Sequence, residues 1–253
     1  MKYFASLAVT ICMTGSAAFA APVNGTGNIT PDTIFGTGNA NGSFTGVNQN
    51  DVELGLRGKL RYDTNGQPSP TYNYDGNKTY TFLPANSNAP ANRSAFNFDW
   101  SINVDPFGSS GNALSDLTYL MEIDFDPTVG TSFVSGDPIN VAFADHAIGN
   151  NSTPNDGGAE AVDAADYLSL ISGNNVAQNS SNLGFFGIPG FDPQTEGMFT
   201  INLSALHRGQ AIASTSIDIV YGNIPAQVPL PASLPLLLAA FGGLGLVARR
   251  RRS

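Results

Sequence analysis

The chain has 253 residues, and its eleven basic and twenty acidic side chains give a net charge of −9. A field of this sign repels nucleic acid and anionic lipid surfaces, so the composition excludes nucleic acid as a partner of the main domain. Cys12 is the single cysteine. From residue 21 onward, disulfides, thiolate metal sites and cysteine nucleophiles are therefore excluded, and core burial must supply the stability.

Residues 1–20 have the three-part layout of a secretory signal peptide. Lys2 gives an early positive charge, an apolar run follows, and Ala18 and Ala20 form an A-x-A cleavage site. The alternative is that this segment is a first strand or helix of the domain. We predict that the signal peptide is cleaved and that residues 21–227 form an exported domain. That domain holds six basic and all twenty acidic residues, a formal charge of −14.

Short strand patterns separated by turn residues fill the exported domain. Residues 21–50 are rich in Gly, Asn and Thr, which predicts either a flexible lead-in or short edge strands. Residues 52–62 then alternate between an apolar face and a face with Glu53, Arg57, Lys59 and Arg61, which indicates a half-buried strand. Further patterns predict a hairpin at 71–83 and strands at 95–104, 117–126, 139–144, 183–188, 198–203 and 211–221.

One stretch, residues 161–171, is rich in helix formers and precedes Gly173, which predicts a short helix. Many short strands with a single helix are typical of an all-β fold, so we predict a β-sandwich or jelly-roll domain. Trp100 lies in the apolar half of an alternating strand, and we expect it in the core rather than as a platform for sugar stacking.

An acidic stretch, EIDFDPTVGTSFVSGD, is the first candidate for chemistry. On a strand, Glu122, Asp124 and Asp126 share one face, because side chains alternate with a period of two. Asp124, Asp126 and Asp137 could supply the hard oxygen ligands that calcium prefers. The alternatives are a solvated acidic face, or the use of neighbouring carboxylates as glycosidase groups.

A polar loop at residues 143–167 is the second candidate. It holds His146 and several acids, and Asn150, Asn151, Asn155 and Asp156 could bind a sugar or an ion through side-chain oxygens. The alternative is a long loop that charge keeps soluble. Beyond residue 20 the two histidines, His146 and His207, form no recognisable zinc motif, and no G-x-S-x-G nucleophile elbow occurs.

The carboxyl-terminal stretch VPLPASLPLLLAAFGGLGLVARRRRS has three parts. A proline-containing motif precedes an apolar run at residues 234–248, and four arginines follow. At ~1.5 Å per residue this run spans about 22 Å of a ~30 Å hydrocarbon core, so it predicts a short transmembrane helix. The arginines should hold the carboxyl terminus in the cytoplasm. The motif is Val228, Pro229, Leu230, Pro231 and Ala232, and the arginines are Arg249, Arg250, Arg251 and Arg252.

Residues 228–253 resemble the VPLPA variant of the PEP-CTERM protein-sorting signal. The resemblance implies recognition by an exosortase-type membrane cysteine protease and a link to the envelope or extracellular polysaccharide of Gram-negative bacteria. A sortase signal, L-P-x-T-G, is the rival, but Ser233 and Leu234 replace its Thr and Gly. Residues 174–186, NNVAQNSSNLGFF, also resemble uncharacterised proteins that carry such tails.

We therefore expect a non-enzymatic protein of the cell envelope or extracellular matrix. It would be held transiently in the inner membrane by one span and would then reach the cell surface or the medium. Calcium and extracellular polysaccharide are its candidate ligands. The alternatives are a secreted carbohydrate-active hydrolase, a permanently anchored single-pass surface protein, and a self-assembling structural protein.

Overall fold

The alternating segments form strands that pair into two sheets. A computed structural model of the chain describes residues 23–69, 71–128 and 130–224. In chain order the strands are β1 Val23–Gly27, β2 Phe44–Gln49, β3 Val52–Leu60, β4 Thr79–Phe82, β5 Phe96–Asn103, β6 Thr118–Asp124, β7 Phe133–Gly136, β8 Ala147–Gly149, β9 Val176–Asn182, β10 Gly197–His207 and β11 Gln210–Tyr221.

The six-stranded sheet has the order β1-β2-β3-β5-β9-β8, and the five-stranded sheet has the order β4-β11-β10-β6-β7. Neighbouring strands are antiparallel except β4 and β11, which are parallel. The two sheets pack with β11 and β10 against β3, and one continuous apolar core fills the space between them. The predicted all-β sandwich is thus confirmed for the described residues.

The core contains the inward-facing half of each alternating strand. In β5, every second residue is fully buried in the core, including Trp100 at 1 % exposure, as the sequence predicted. One position on the core side of this sheet must be glycine. A Cβ on Gly58 of β3 would lie 2.7 Å from the Cβ of Tyr80, so the facing sheet can approach only where a side chain is missing.

Several predicted elements differ from the observed ones. The helix, α1, runs over Ala164–Gly173 and begins three residues later than predicted, because Asp163 caps it by accepting from the Asp166 N–H at 2.9 Å. Residues 139–144 contain no strand, and residues 183–185 form a 3-10 turn. In the predicted hairpin at 71–83 the arms pair antiparallel at Tyr74 and Tyr80, around a turn in which the Asp75 carboxylate accepts three backbone N–H groups, but only the second arm, β4, is a regular strand.

Candidate functional site

The outer face of the six-stranded sheet carries a ladder of polar side chains. Arg57 of β3 lies opposite Asp99 of β5, which lies opposite Ser180 of β9. In the next row, Lys59 faces Asn97. The sequence predicted a half-buried strand with Glu53, Arg57, Lys59 and Arg61 on its outer face. That is wrong for Arg57 and Lys59, which are buried, whereas Glu53 and Arg61 are partly exposed.

The cover is the segment of residues 28–43, which we call the strap. The Ile34 N–H donates to Gln178 Oε1 at 2.8 Å, and Gln178 Nε2 donates back to a strap carbonyl at 2.8 Å. Arg57 Nη1 donates to two more strap carbonyls, both at 2.8 Å, and Lys59 Nζ donates to Asn39 Oδ1 at 3.0 Å. Of the two alternatives predicted for residues 21–50, the short edge strands are confirmed by β1 and β2, and the strap between them is fixed to the sheet by the sheet's own polar side chains.

A buried ion network lies beneath the strap. Asp99 accepts from Arg57 Nε at 2.8 Å, and its other oxygen lies 3.0 Å from Lys59 Nζ. Burial alone raises the pKa of Asp99, but the Lys59 ammonium and the Arg57 guanidinium outweigh it and hold that pKa below its ordinary value. The Arg57 guanidinium also lies between the rings of Phe44 and Tyr72, at 4.2 and 4.5 Å from their centroids.

Beside the middle of the strap the polar ladder opens into a cleft of about 570 Å³. The strap residues 35–39 form one wall, and Lys59 and Arg61 at the end of β3 contribute the charged groups. Asn97, Asn179 and Ser180 add amides and a hydroxyl. A volume of this size fits a small ligand or a short stretch of a polymer.

An aromatic ring stands at the edge of this cleft. Phe185 lines it, is 60 % exposed, and packs its ring against the Arg93 guanidinium at 4.6 Å. Among residues 23–69, 71–128 and 130–224, ion pairs join Asp99 to its two cations and Lys78 to Asp218. Arg61 and Arg93 thus have no carboxylate partner within that part of the chain.

The three aspartates predicted to bind calcium instead accept hydrogen bonds from backbone N–H groups. Asp124 is buried, and its Oδ1 accepts the N–H groups of Asp126 and Ser132 at 3.0 and 2.7 Å. Asp126 caps the turn at Thr128, whose hydrogen bonds lower the pKa of Asp126. Asp137 accepts three backbone N–H groups.

Each of these aspartates therefore stabilises its own turn. Among the described residues, no three His, Cys, Asp or Glu side chains form a group that could hold a metal ion. The structure does not bring Asp124, Asp126 and Asp137 together as a calcium site. The carboxylate that would pair with Glu122 in a glycosidase is the same Asp124, and its backbone hydrogen bonds hold it in a structural role.

Side chains of the polar loop at residues 143–167 also make hydrogen bonds that stabilise the fold. His146 is half-buried, with Nε2 at 2.7 Å from the Pro138 carbonyl and Nδ1 at 3.0 Å from Asn179 Nδ2. These contacts fix the neutral tautomer with hydrogen on Nε2, and burial lowers the pKa of His146 below 6.5. Asn155 and Asn151, proposed as sugar ligands, instead donate to the carbonyls of Thr33 and Asp105.

The predicted signals at the two ends lie outside the described residues. Within the described part of the chain, no helix has the length and apolar character needed to cross a membrane. The predicted transmembrane helix at 234–248 stays a prediction. The same holds for Ala18, Ala20, Val228, Pro229, Leu230, Pro231, Ala232, Arg249, Arg250, Arg251 and Arg252.

Residues 227–252 match the family model of the PEP-CTERM protein-sorting motif. The chain carries a PEP-CTERM sorting motif. This confirms the resemblance found in residues 228–253, and it implies an exported protein that an exosortase-type membrane enzyme processes. No curated protein and no solved structure matches the chain. The resemblance of residues 174–186 to other proteins with PEP-CTERM tails is therefore not shown.

Proposed function

We propose that this PEP-CTERM chain is a non-enzymatic protein of the cell envelope or extracellular matrix that binds glycan in the cleft beside the strap. The sorting motif supports export and delivery to the cell surface. The cleft supports binding, because amides, a hydroxyl and two cations line a concave surface that ends at the exposed Phe185 ring. Sugars present hydroxyls at their edges and C–H groups on their faces, which match these two kinds of wall.

The single observation that carries this proposal is the half-exposed position of Phe185 at the edge of a polar cleft. Ligand sites are typically concave surfaces that combine aromatic side chains with a few polar groups, and Phe185, 60 % exposed, is an aromatic residue that lines this polar cleft. Its packing against Arg93 holds the ring in place. The ring is thus already positioned to stack against the C–H face of a bound sugar.

Binding is tested with the full chain, purified in detergent, against immobilised polysaccharides. Phe185→Ala should weaken retention by about tenfold, because it removes the apolar contact of a whole ring. Phe107→Ala is the matched control, since Phe107 is 68 % exposed and does not line the cleft. Equal retention of the two variants would contradict the proposal, as would the absence of binding to every polysaccharide.

Sorting is tested by the mass of the protein recovered from the cell surface and from the medium. Processing by an exosortase-type enzyme removes mass from the carboxyl terminus near Val228. A protein that still ends at Ser253 would instead be a permanently anchored single-pass protein. This outcome would leave glycan binding untouched, because the cleft belongs to the β domain.

A further inference from the structure

We infer that the cleft selects an acidic glycan, whose carboxylate is held by Lys59 and Arg61. This inference rests on the proposed glycan-binding function and adds the class of ligand. It begins with the ion network beneath the strap, where one carboxylate, Asp99, faces two buried cations. The network therefore has an excess of one positive charge, and a buried charge without a partner is costly.

Lys59 is the member of this ion network that lines the cleft. An ammonium group has three N–H donors, and those of Lys59 meet Asp99 and Asn39, each at 3.0 Å. Among the described residues no oxygen acceptor meets the third donor, although the Phe35 ring centroid lies 5.4 Å from Nζ, and the Lys59 side chain, 8 % exposed, lines the cleft. An anion placed there would complete the ammonium's contacts and balance the network.

Arg61 supplies the second contact. Its backbone N–H is fixed to the Ala95 carbonyl at 2.8 Å, and its guanidinium lies over the Tyr62 ring at 5.3 Å. It lines the cleft two residues after Lys59 and has no carboxylate partner in the described part of the chain. A guanidinium presents a planar fork of donors that suits a carboxylate, and the bond is stronger than one between neutral groups.

A cluster of cations at the cleft is unusual because the rest of the domain is strongly acidic. Residues 21–227 hold twenty acids and six bases. Four of those bases lie in, beneath or at the edge of this cleft: Arg57, Lys59, Arg61 and Arg93. At physiological salt, screening acts over about 8 Å, so a ligand in the cleft responds to these cations more than to the acidic remainder of the domain.

The exposed Phe185 ring points to a sugar as the carrier of the carboxylate. A free small anion would need only the cations, whereas the cleft extends from Lys59 to an apolar ring. A uronate unit presents both features, since it has a carboxylate at one edge and C–H groups on its faces. The class of ligand that fits is a polysaccharide containing uronic acids.

The experiment compares short oligogalacturonates with their methyl esters, which have the same backbone but no charge. Affinities for the full chain in detergent are measured by calorimetry at physiological salt. We expect the acid to bind at least about tenfold more tightly than the ester, as for a charged hydrogen bond. Arg61→Gln should lower the affinity for the acid more than the affinity for the ester, and so remove most of that difference.

Arg208→Gln is the matched control, because Arg208 is exposed in the turn between β10 and β11 and the substitution removes the same charge. It should leave the difference between acid and ester intact. Equal affinities for acid and ester would overturn the acidic-glycan inference while preserving the proposed function. An equal loss in both variants would overturn it as well, since the effect would then belong to overall charge. Binding of neither probe would overturn this inference, and the polysaccharide retention assay would decide the proposed function separately.

Discussion

Replacing Asp99 by Asn tests the buried ion network directly. The substitution keeps the size of the side chain but leaves the buried Arg57 and Lys59 without their shared carboxylate. Breaking a buried ion pair on one side costs about 3–5 kcal/mol. For a domain of this length each kcal/mol shifts the melting temperature by roughly 2–4 °C, so Asp99→Asn should lower it by about 6–20 °C.

The assay is thermal and urea unfolding of Asp99→Asn beside two comparison variants. Lys78→Gln breaks the Lys78–Asp218 pair, whose lysine is 42 % exposed, and should cost less than about 1 kcal/mol. Lys59→Met removes the surplus cation and leaves Arg57 and Asp99 paired, so it should cost less than Asp99→Asn. A loss below about 1 kcal/mol for Asp99→Asn, or a larger loss for Lys59→Met, would refute the charge argument.

Three further results are expected. Because burial lowers the pKa of His146 below 6.5, the unfolded chain takes up a proton there that the folded chain does not. The free energy of unfolding should therefore fall as the pH drops through 6.5 towards the folded pKa. In His146→Gln, the melting temperature measured between about pH 7.5 and 5.5 should depend less on pH. Gly58→Ala places a Cβ 2.7 Å from Tyr80 and should cost about 1–3 kcal/mol in urea unfolding, whereas Gly136→Ala, whose Cβ meets nothing within 4 Å, should change stability by less than about 0.5 kcal/mol. A chelator should leave the melting temperature unchanged, because the aspartates predicted to bind calcium already accept backbone N–H groups; a fall of several degrees would restore the calcium hypothesis.

The sequence predicted those strands best whose two faces differ in polarity. In β5, alternation identified both the strand and its buried face, because one side enters the apolar core and the other carries amides, a hydroxyl and Asp99. The same kind of pattern wrongly predicted a strand at residues 139–144. Their apolar members lie in an irregular segment where the Asp137 carboxylate accepts the N–H groups of Ile139 and Asn140, so local hydrogen bonds replaced a ladder.

The candidate site was harder to predict because its cover comes from a distant part of the chain. Arg57 and Lys59 resemble the solvated side of an edge strand when β3 is read alone. Asp99, their partner, lies in another strand, and no local pattern joins them. One signal was present. Gly55 interrupts the polar face of β3, and it leaves room for the Ile29 side chain of the strap, which a Cβ would meet at 2.7 Å.

The strap also sets an order of events for an exported chain. The Ile34 N–H and its acceptor, Gln178, are separated by 144 residues. A chain that crosses a membrane amino end first delivers the strap early and β9 late. The strap cannot dock until Gln178 has emerged, because β9 supplies part of the surface on which it lies. Docking of the strap therefore waits until the chain has crossed as far as β9, so this long-range contact forms late in translocation.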